Sequence, residues 1–92
     1  MDNQPGQEIN RMAQQDPSLR AQETMLRMAG NMRDQGHVHE AIDMYMRLLE
    51  EYPDTQASRA AANALVDLAQ YLEQQGMPHT ALDVYQKLEQ FQ

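Results

Sequence analysis

One stretch of the chain is written twice: residues 36–53 read GHVHEAIDMYMRLLEEYP, and residues 76–92 read GMPHTALDVYQKLEQFQ. In both copies a glycine comes first, an alanine follows five residues later, and a tyrosine follows four residues after the alanine. Apolar side chains recur at spacings of three and four in each copy, which is the period of an amphipathic helix. A glycine at this place is typical of a corner between two helices, because glycine readily takes the left-handed conformation. The duplication therefore predicts two helical hairpins of the same design.

The similarity extends beyond these stretches at a constant offset of 40 residues. Methionines of the first copy align with leucines of the second, so the apolar character is kept where the residue type changes. Helix pairs that repeat at a period of this size stack on one another and share a continuous core. We therefore predict an all-α fold of two stacked antiparallel helix hairpins. Identical pairs at this offset include Ala21/Ala61, Ala29/Ala69, Gln35/Gln75, Gly36/Gly76, His39/His79, Ala41/Ala81, Asp43/Asp83, Tyr45/Tyr85 and Leu48/Leu88, and the Met/Leu pairs are Met25/Leu65, Met28/Leu68 and Met32/Leu72.

Helix boundaries follow from the proline, glycine and capping residues. A helix start is indicated at Asp16-Pro17, at Asp54-Thr55 and at Pro78, since Asp and Thr cap free N–H groups and Pro suits the first helical turn. We expect a domain over residues 16–92, with hairpin 1 at about 17–53 and hairpin 2 at about 55–91. Residues 1–15 are rich in polar side chains and contain a Pro-Gly pair, so they are expected to be a flexible N-terminal arm.

Composition argues against several classes of protein. The chain carries 14 acidic and 7 basic residues, a net charge of −7, and such a scaffold repels nucleic acid. It contains no cysteine, no glycine-rich phosphate loop and no apolar run of about 18 residues, and its first residues do not resemble a signal peptide. We therefore expect a cytoplasmic protein without a membrane segment.

Candidates for chemistry are few. His39 with Asp43, and His79 with Asp83, stand at i and i+4 on a helix, but two ligands are too few to define a metal site. The serines and the single lysine are isolated from any nucleophile-and-base pattern. The sequence therefore predicts no catalytic residue, no metal and no cofactor, and the chain is not expected to be an enzyme.

The repeat resembles the tetratricopeptide repeat (TPR) family. In that family the first helix of each hairpin carries large apolar residues around a small one and ends at glycine, and the second helix begins with alanine and places an aromatic residue four positions later. The first copy matches with Met25, Met28, Ala29, Met32, Gly36, Ala41, Tyr45, Leu48 and Pro53, and the second with Leu65, Leu68, Ala69, Leu72, Gly76, Ala81, Tyr85 and Leu88. The resemblance implies protein–protein interaction, with a peptide or helix of a partner held in a groove formed by the first helices.

The same resemblance implies which positions face that groove. Where members that grip acidic C-terminal peptides carry Lys and Asn, this chain carries Leu26, Gly30, Val66 and Gln70, so a less charged ligand is expected. The implied partner-binding residues are Glu23, Leu26, Gly30, Arg33 and Asp34 in the first repeat, and Asn63, Val66, Gln70, Glu73 and Gln74 in the second.

The fourth helix suggests self-association. Two repeats fall short of the three that a stable helical stack usually needs, and the apolar residues of the last helix require a cover. A symmetric homodimer is expected, because a two-fold contact closes on itself. Two alternatives to the adaptor hypothesis stay open: a module that only dimerises, and a fragment of a longer cell-envelope scaffold. The residues expected in the self-contact are Leu82, Val84, Tyr85, Leu88 and Phe91.

Overall fold

The computed structural model describes residues 16–91, which form four α-helices. They are α1 (Pro17–Asp34), α2 (Val38–Glu51), α3 (Gln56–Gln74) and α4 (Pro78–Glu89). No strand occurs between residues 16 and 91, and the predicted all-α fold is confirmed. The proposed arm at residues 1–15 lies outside the described part of the chain.

The two helix corners are close copies of each other. Gly36 has a φ of 87° and Gly76 a φ of 77°, the left-handed conformation that favours glycine. The amide after each glycine reaches back to the last turn of the preceding helix: His37 N donates to Met32 O at 2.8 Å, and Met77 N to Leu72 O at 2.8 Å. These bonds satisfy carbonyls that the helix end would otherwise leave free, so each corner ends one helix and sets the start of the next.

The first helix of each hairpin begins at a side-chain cap. Asp16 Oδ1 accepts a hydrogen bond from Ser18 N at 2.9 Å at the start of α1. At the start of α3, Thr55 Oγ1 accepts from Ser58 N and Ser58 Oγ accepts from Thr55 N, both at 3.0 Å. Helices α2 and α4 have no such side-chain cap. The caps therefore fix where each hairpin starts, and the glycines fix where it folds back.

Each helix packs on the next one in the chain, and α1 also contacts α3. Alanines are buried where the helices of a hairpin cross: Ala29 and Ala41 in the first, Ala69 and Ala81 in the second. A small side chain at a crossing allows the helices to approach closely. Around them lies one apolar core that runs through both hairpins, in which Tyr45, Leu48, Leu65, Leu68 and Leu72 are buried.

The first helix is less buried than its apolar spacing indicated. Leu19 is 41% exposed and Met28 40% exposed, although the helical spacing of Leu19, Met25, Met28, Ala29 and Met32 predicts one buried face. Helix α1 lies at one end of the stack, and within residues 16–91 no helix precedes it. The equivalent of Met28 in α3, Leu68, is 4% exposed because α2 packs against α3. The methionines Met44 and Met46 also separate as their spacing requires: Met46 is buried and Met44 is half-buried.

Candidate partner-binding surfaces

The line of contact between α1 and α3, which we call the α1–α3 seam, contains two pockets. The Leu19 pocket, about 300 Å³, lies at the N-terminal ends of the two helices and is lined by Leu19, Gln22, Glu23, Leu26, Gln56, Ala57 and Ala60. The Tyr71 pocket, about 380 Å³, lies toward their C-terminal ends and is lined by Arg33, Asp34, Gly36, Val38, Asp67, Leu68 and Tyr71. Together they form a discontinuous groove along the seam.

The groove residues expected in α1 are partly brought together. Glu23 and Leu26 line the Leu19 pocket, and Arg33 lines the Tyr71 pocket with Asp34. Gly30 lies between these residues in the sequence and is half-buried. A β-carbon added to Gly30 would have no atom closer than 3.8 Å. The space around position 30 would therefore accommodate a larger residue than glycine.

The groove residues expected in α3 line neither pocket. Asn63, Gln70, Glu73 and Gln74 are exposed, and Val66 is half-buried against the core. Helix α3 instead turns toward α1 the face that carries Ala57, Ala60, Asp67 and Tyr71. Positions 63, 66, 70 and 73 share a different face of the same helix because of the helical period. Tyr71 is not among the residues expected in the groove; its only signal in the sequence is an aromatic side chain at the position where the first repeat has Asn31.

The Tyr71 pocket combines an apolar floor with a charged rim. Tyr71 is 46% exposed, Val38 is half-buried, and Leu68 lies beneath them as part of the core. On the rim, Arg33 Nε donates to Asp34 Oδ1 at 3.2 Å, which leaves Asp67 as a further exposed carboxylate. An apolar side chain can enter such a pocket while polar groups beside it meet the rim.

The two repeated tyrosines reach the first helix of their own hairpin. Tyr45 Oη lies 3.9 Å from the place that a β-carbon of Gly30 would take, and Tyr85 Oη donates to Glu73 Oε1 at 3.3 Å. Partial burial raises the pKa of Tyr85 above its ordinary value of 10.0, and the charge of Glu73 and its hydrogen bond act in the same direction. Gly30 and Glu73 therefore lie next to structural tyrosines.

A larger depression, the α1–α2 groove, lies on the outer side of the first hairpin. Its volume is about 630 Å³, and its walls include Ala21, Met25 and Met28 of α1 with Met44 and Arg47 of α2, followed by Tyr52. At its edge Arg47 Nε donates to Glu51 Oε2 at 2.7 Å, and this bond raises the pKa of the Arg47 guanidinium. The α1 side of the groove is thus mostly apolar, although Arg20 and Thr24 also line it, and the α2 side carries an ion pair.

The residues expected in a self-contact of α4 are not equally available. Val84 is 2% exposed and Leu88 8% exposed, because both pack into the core of their own chain. Leu82 and Phe91 are exposed, and Tyr85 is half-buried. Phe91 also lines a pocket of about 190 Å³ with Leu49 and Leu88. The exposed apolar part of α4 is therefore smaller than the sequence predicts.

Metal-ligand clusters and membrane-spanning helices are both absent from the described part of the chain. Among residues 16–91, no three His, Asp or Glu side chains are close enough to hold a metal ion together. Over the same residues, none of the helices is both long and apolar enough to cross a lipid bilayer.

The fold and its surfaces define a class of helical-hairpin repeat proteins. Residues 23–55, from the middle of α1 through α2 to the cap of α3, match the family model for the tetratricopeptide repeat. Together with the four stacked helices, the match shows that the chain carries a TPR-like repeat, which indicates protein–protein interaction in general. Searches of curated proteins and of solved structures found no significant match.

Proposed function

We propose that this protein is an interaction module that binds an extended segment of a partner protein along the α1–α3 seam. The observation that carries the proposal is the pair of pockets on one seam, the Leu19 pocket and the Tyr71 pocket. Peptide-binding sites typically combine apolar pockets for alternate anchor side chains with polar groups that fix orientation.

The Tyr71 pocket supplies the main anchor site in this proposal. Its lining is predominantly apolar, and a half-exposed tyrosine can gain burial when a partner side chain enters. Interface energy concentrates on aromatic residues that become fully buried in the complex. The Leu19 pocket holds a second apolar side chain of the same segment against Leu26 and Ala60.

The rim charges select among possible segments. Asp34 is paired with Arg33, so Asp67 is the rim carboxylate left to meet a ligand at the Tyr71 pocket, while Glu23 lies at the Leu19 pocket. We therefore infer that the segment carries an apolar anchor next to a basic or neutral residue. An acidic segment would meet repulsion from these carboxylates.

Peptide display tests the proposal directly. Peptides selected on the immobilised full chain are synthesised with a fluorescent label, and their binding is measured by polarisation. Tyr71→Ser and Leu26→Ser should each weaken binding by about tenfold or more, the effect typical of losing an anchor contact. Leu82→Ser is the matched control for Tyr71→Ser, because Leu82 is 50% exposed against 46% for Tyr71 and lies at the far end of the stack. If no peptide is selected, or if binding survives both seam variants, the proposal is wrong.

A further inference from the structure

The α1–α2 groove has a filled counterpart one repeat later. Adding 40 to its residues Ala21, Met25 and Met28 gives Ala61, Leu65 and Leu68 of α3, which are all buried. Adding 40 to Met44 gives Val84 of α4, which is buried too. The same cleft thus exists between α3 and α4, where it is occupied.

The occupant of that second cleft is α2. Leu49 of α2 shares a pocket with Ala62 of α3 and Leu88 of α4, and Met46 of α2 shares another with Lys87 of α4. Helix α2 therefore lies over α3 and reaches α4, with Ile42 and Tyr45 buried. The chain shows in its own fold which helix fits a groove of this kind.

Helix α4 carries the matching face and leaves it exposed. Leu82 is the equivalent of Ile42 and is 50% exposed, against 6% for Ile42. Tyr85 is the equivalent of the buried Tyr45 and is only half-buried. The two ends of the stack are therefore the two halves of the interface that α2 and α3 already form inside the chain.

Polar changes in the two halves correspond to each other. The residue of α4 equivalent to Leu49 of α2 is Glu89. Leu49 has Ala62 of α3 as a neighbour, and the residue of α1 equivalent to Ala62 is Gln22. Likewise, the equivalent of Met46 is Gln86, and the equivalent of its neighbour Lys87 is Arg47. Of these two pairs, Gln86 with Arg47 places a polar residue of α4 against the lining of the α1–α2 groove. Gln22 is buried and lines the Leu19 pocket, so Glu89 would lie beyond the groove. The contact between copies is therefore more polar than the contact inside the chain.

We propose that the α1–α2 groove binds helix α4 of a second copy of this chain, in a head-to-tail contact that continues the stack. The segment before α1 is a poor occupant, because the same offset places Asp2, Pro5 and Gly6 where α2 has Ile42, Tyr45 and Met46. The contact uses Met28 and Leu82, which lie outside the α1–α3 seam. It can therefore be tested independently of peptide binding. A head-to-tail contact does not close on two copies, so the chain forms open oligomers that grow with concentration.

Two end-blocking variants of the full chain test this geometry. Met28→Asp blocks the groove and leaves the α4 face intact, whereas Leu82→Asp blocks the α4 face and leaves the groove intact. Both residues are largely exposed, so circular dichroism and thermal melts should show folded proteins. Tyr71→Asp is the matched control because Tyr71 is 46% exposed but lies on the α1–α3 seam, away from the α1–α2 groove and from α4.

Sedimentation velocity measures the oligomeric state at protein concentrations up to about 1 mM, at which weak contacts become populated. The wild type and Tyr71→Asp should form oligomers larger than a dimer. Each end-blocking variant alone should be a monomer, and their equimolar mixture should form a dimer and nothing larger, since only one intact contact can form.

Three results overturn the proposal. The first is a wild type that stays monomeric over the whole range, which would leave the groove to some other occupant. The second is a Met28→Asp variant that still dimerises while Leu82→Asp does not, which indicates a two-fold contact of α4 with itself. The third is a mixture of the two variants that contains only monomers.

Discussion

Hairpin 1 (α1 and α2) and hairpin 2 (α3 and α4) turn at equivalent glycines with the same closing hydrogen bonds, yet their equivalent side chains differ in burial. In the second helices, Ile42 is buried and Leu82 is exposed. In the first helices the order is reversed, since Met28 is exposed and Leu68 is buried. Among residues 16–91, α2 and α3 pack closely on each other across the two hairpins, whereas α1 contacts hairpin 2 only along the α1–α3 seam and α4 contacts hairpin 1 little. Burial is therefore set by the position of a helix in the stack and not by the repeat pattern alone.

The largest expected difference between the hairpins concerns the pair Leu68 and Met28. Leu68→Ala removes a buried side chain at the contact between the hairpins and should lower the free energy of unfolding by about 3 kcal/mol. Met28→Ala changes a largely exposed side chain and should cost less than about 1 kcal/mol.

Urea denaturation followed by circular dichroism measures both values. The samples must be dilute, because association through the α1–α2 groove would add an apparent cost to the Met28 change. Equal losses for the two variants in dilute solution would contradict the comparison, since they would mean that α1 is as covered as α3.

Much of this architecture could be predicted from the sequence. The corners at Gly36 and Gly76 and the cap at Thr55 follow from local chemistry, because glycine and hydroxyl side chains act within a few residues of their position. The buried alanines follow from the period of the apolar residues. These features depend on one helix and its nearest neighbour.

The groove could be predicted only in part. Glu23, Leu26 and Arg33 line pockets of the seam, but the α3 side of the seam is formed by Asp67 and Tyr71 instead of the expected Val66 and Gln70. Which face α3 turns toward α1 depends on how two hairpins rotate against each other, and the period of either helix does not specify that rotation. The exposure of a side chain at either end of the stack depends on which helices pack there. The apolar pattern therefore does not distinguish Met28, which is exposed, from Val84, which is buried.

The next prediction concerns a feature that the hairpins share. Gly36→Ala and Gly76→Ala should each lower the free energy of unfolding by about 1 kcal/mol, because a β-carbon is disfavoured at a φ near 80°. Among residues 16–91, no atom beyond the adjoining residues lies within 4 Å of the place that a β-carbon would take at either glycine, so the cost is conformational strain and not a clash.

Because the corners have the same geometry, the two costs should agree within a few tenths of a kcal/mol, and chemical denaturation of both variants measures them. Gly30→Ala is the helical control and should be neutral or stabilising, since alanine favours a helix interior over glycine. A loss at one corner several times larger than at the other would show that the two turns are not equivalent.

The smallest expected effect concerns Tyr85 of hairpin 2 and its dependence on pH. Tyr85 is half-buried and bonded to Glu73, and its pKa is raised above 10.0, so the folded state favours the protonated phenol. Its contribution to stability is therefore fully present below the unfolded pKa and is lost as the pH rises through the higher folded value. The wild type should lose stability relative to Tyr85→Phe when the pH is raised above about 10.

Urea denaturation of both proteins at neutral pH and at the highest pH where both still fold gives this difference, in which the titration of all other groups cancels. Glu73→Gln should reduce the loss without removing it, because partial burial, the largest cause of the raised pKa, remains after the carboxylate is neutralised. A wild type and a Tyr85→Phe variant with parallel pH profiles would show that the phenol of hairpin 2 is fully hydrated. In that case the difference between the hairpins would be greater than the structure indicates, since Tyr45 at the equivalent position is buried within the stack.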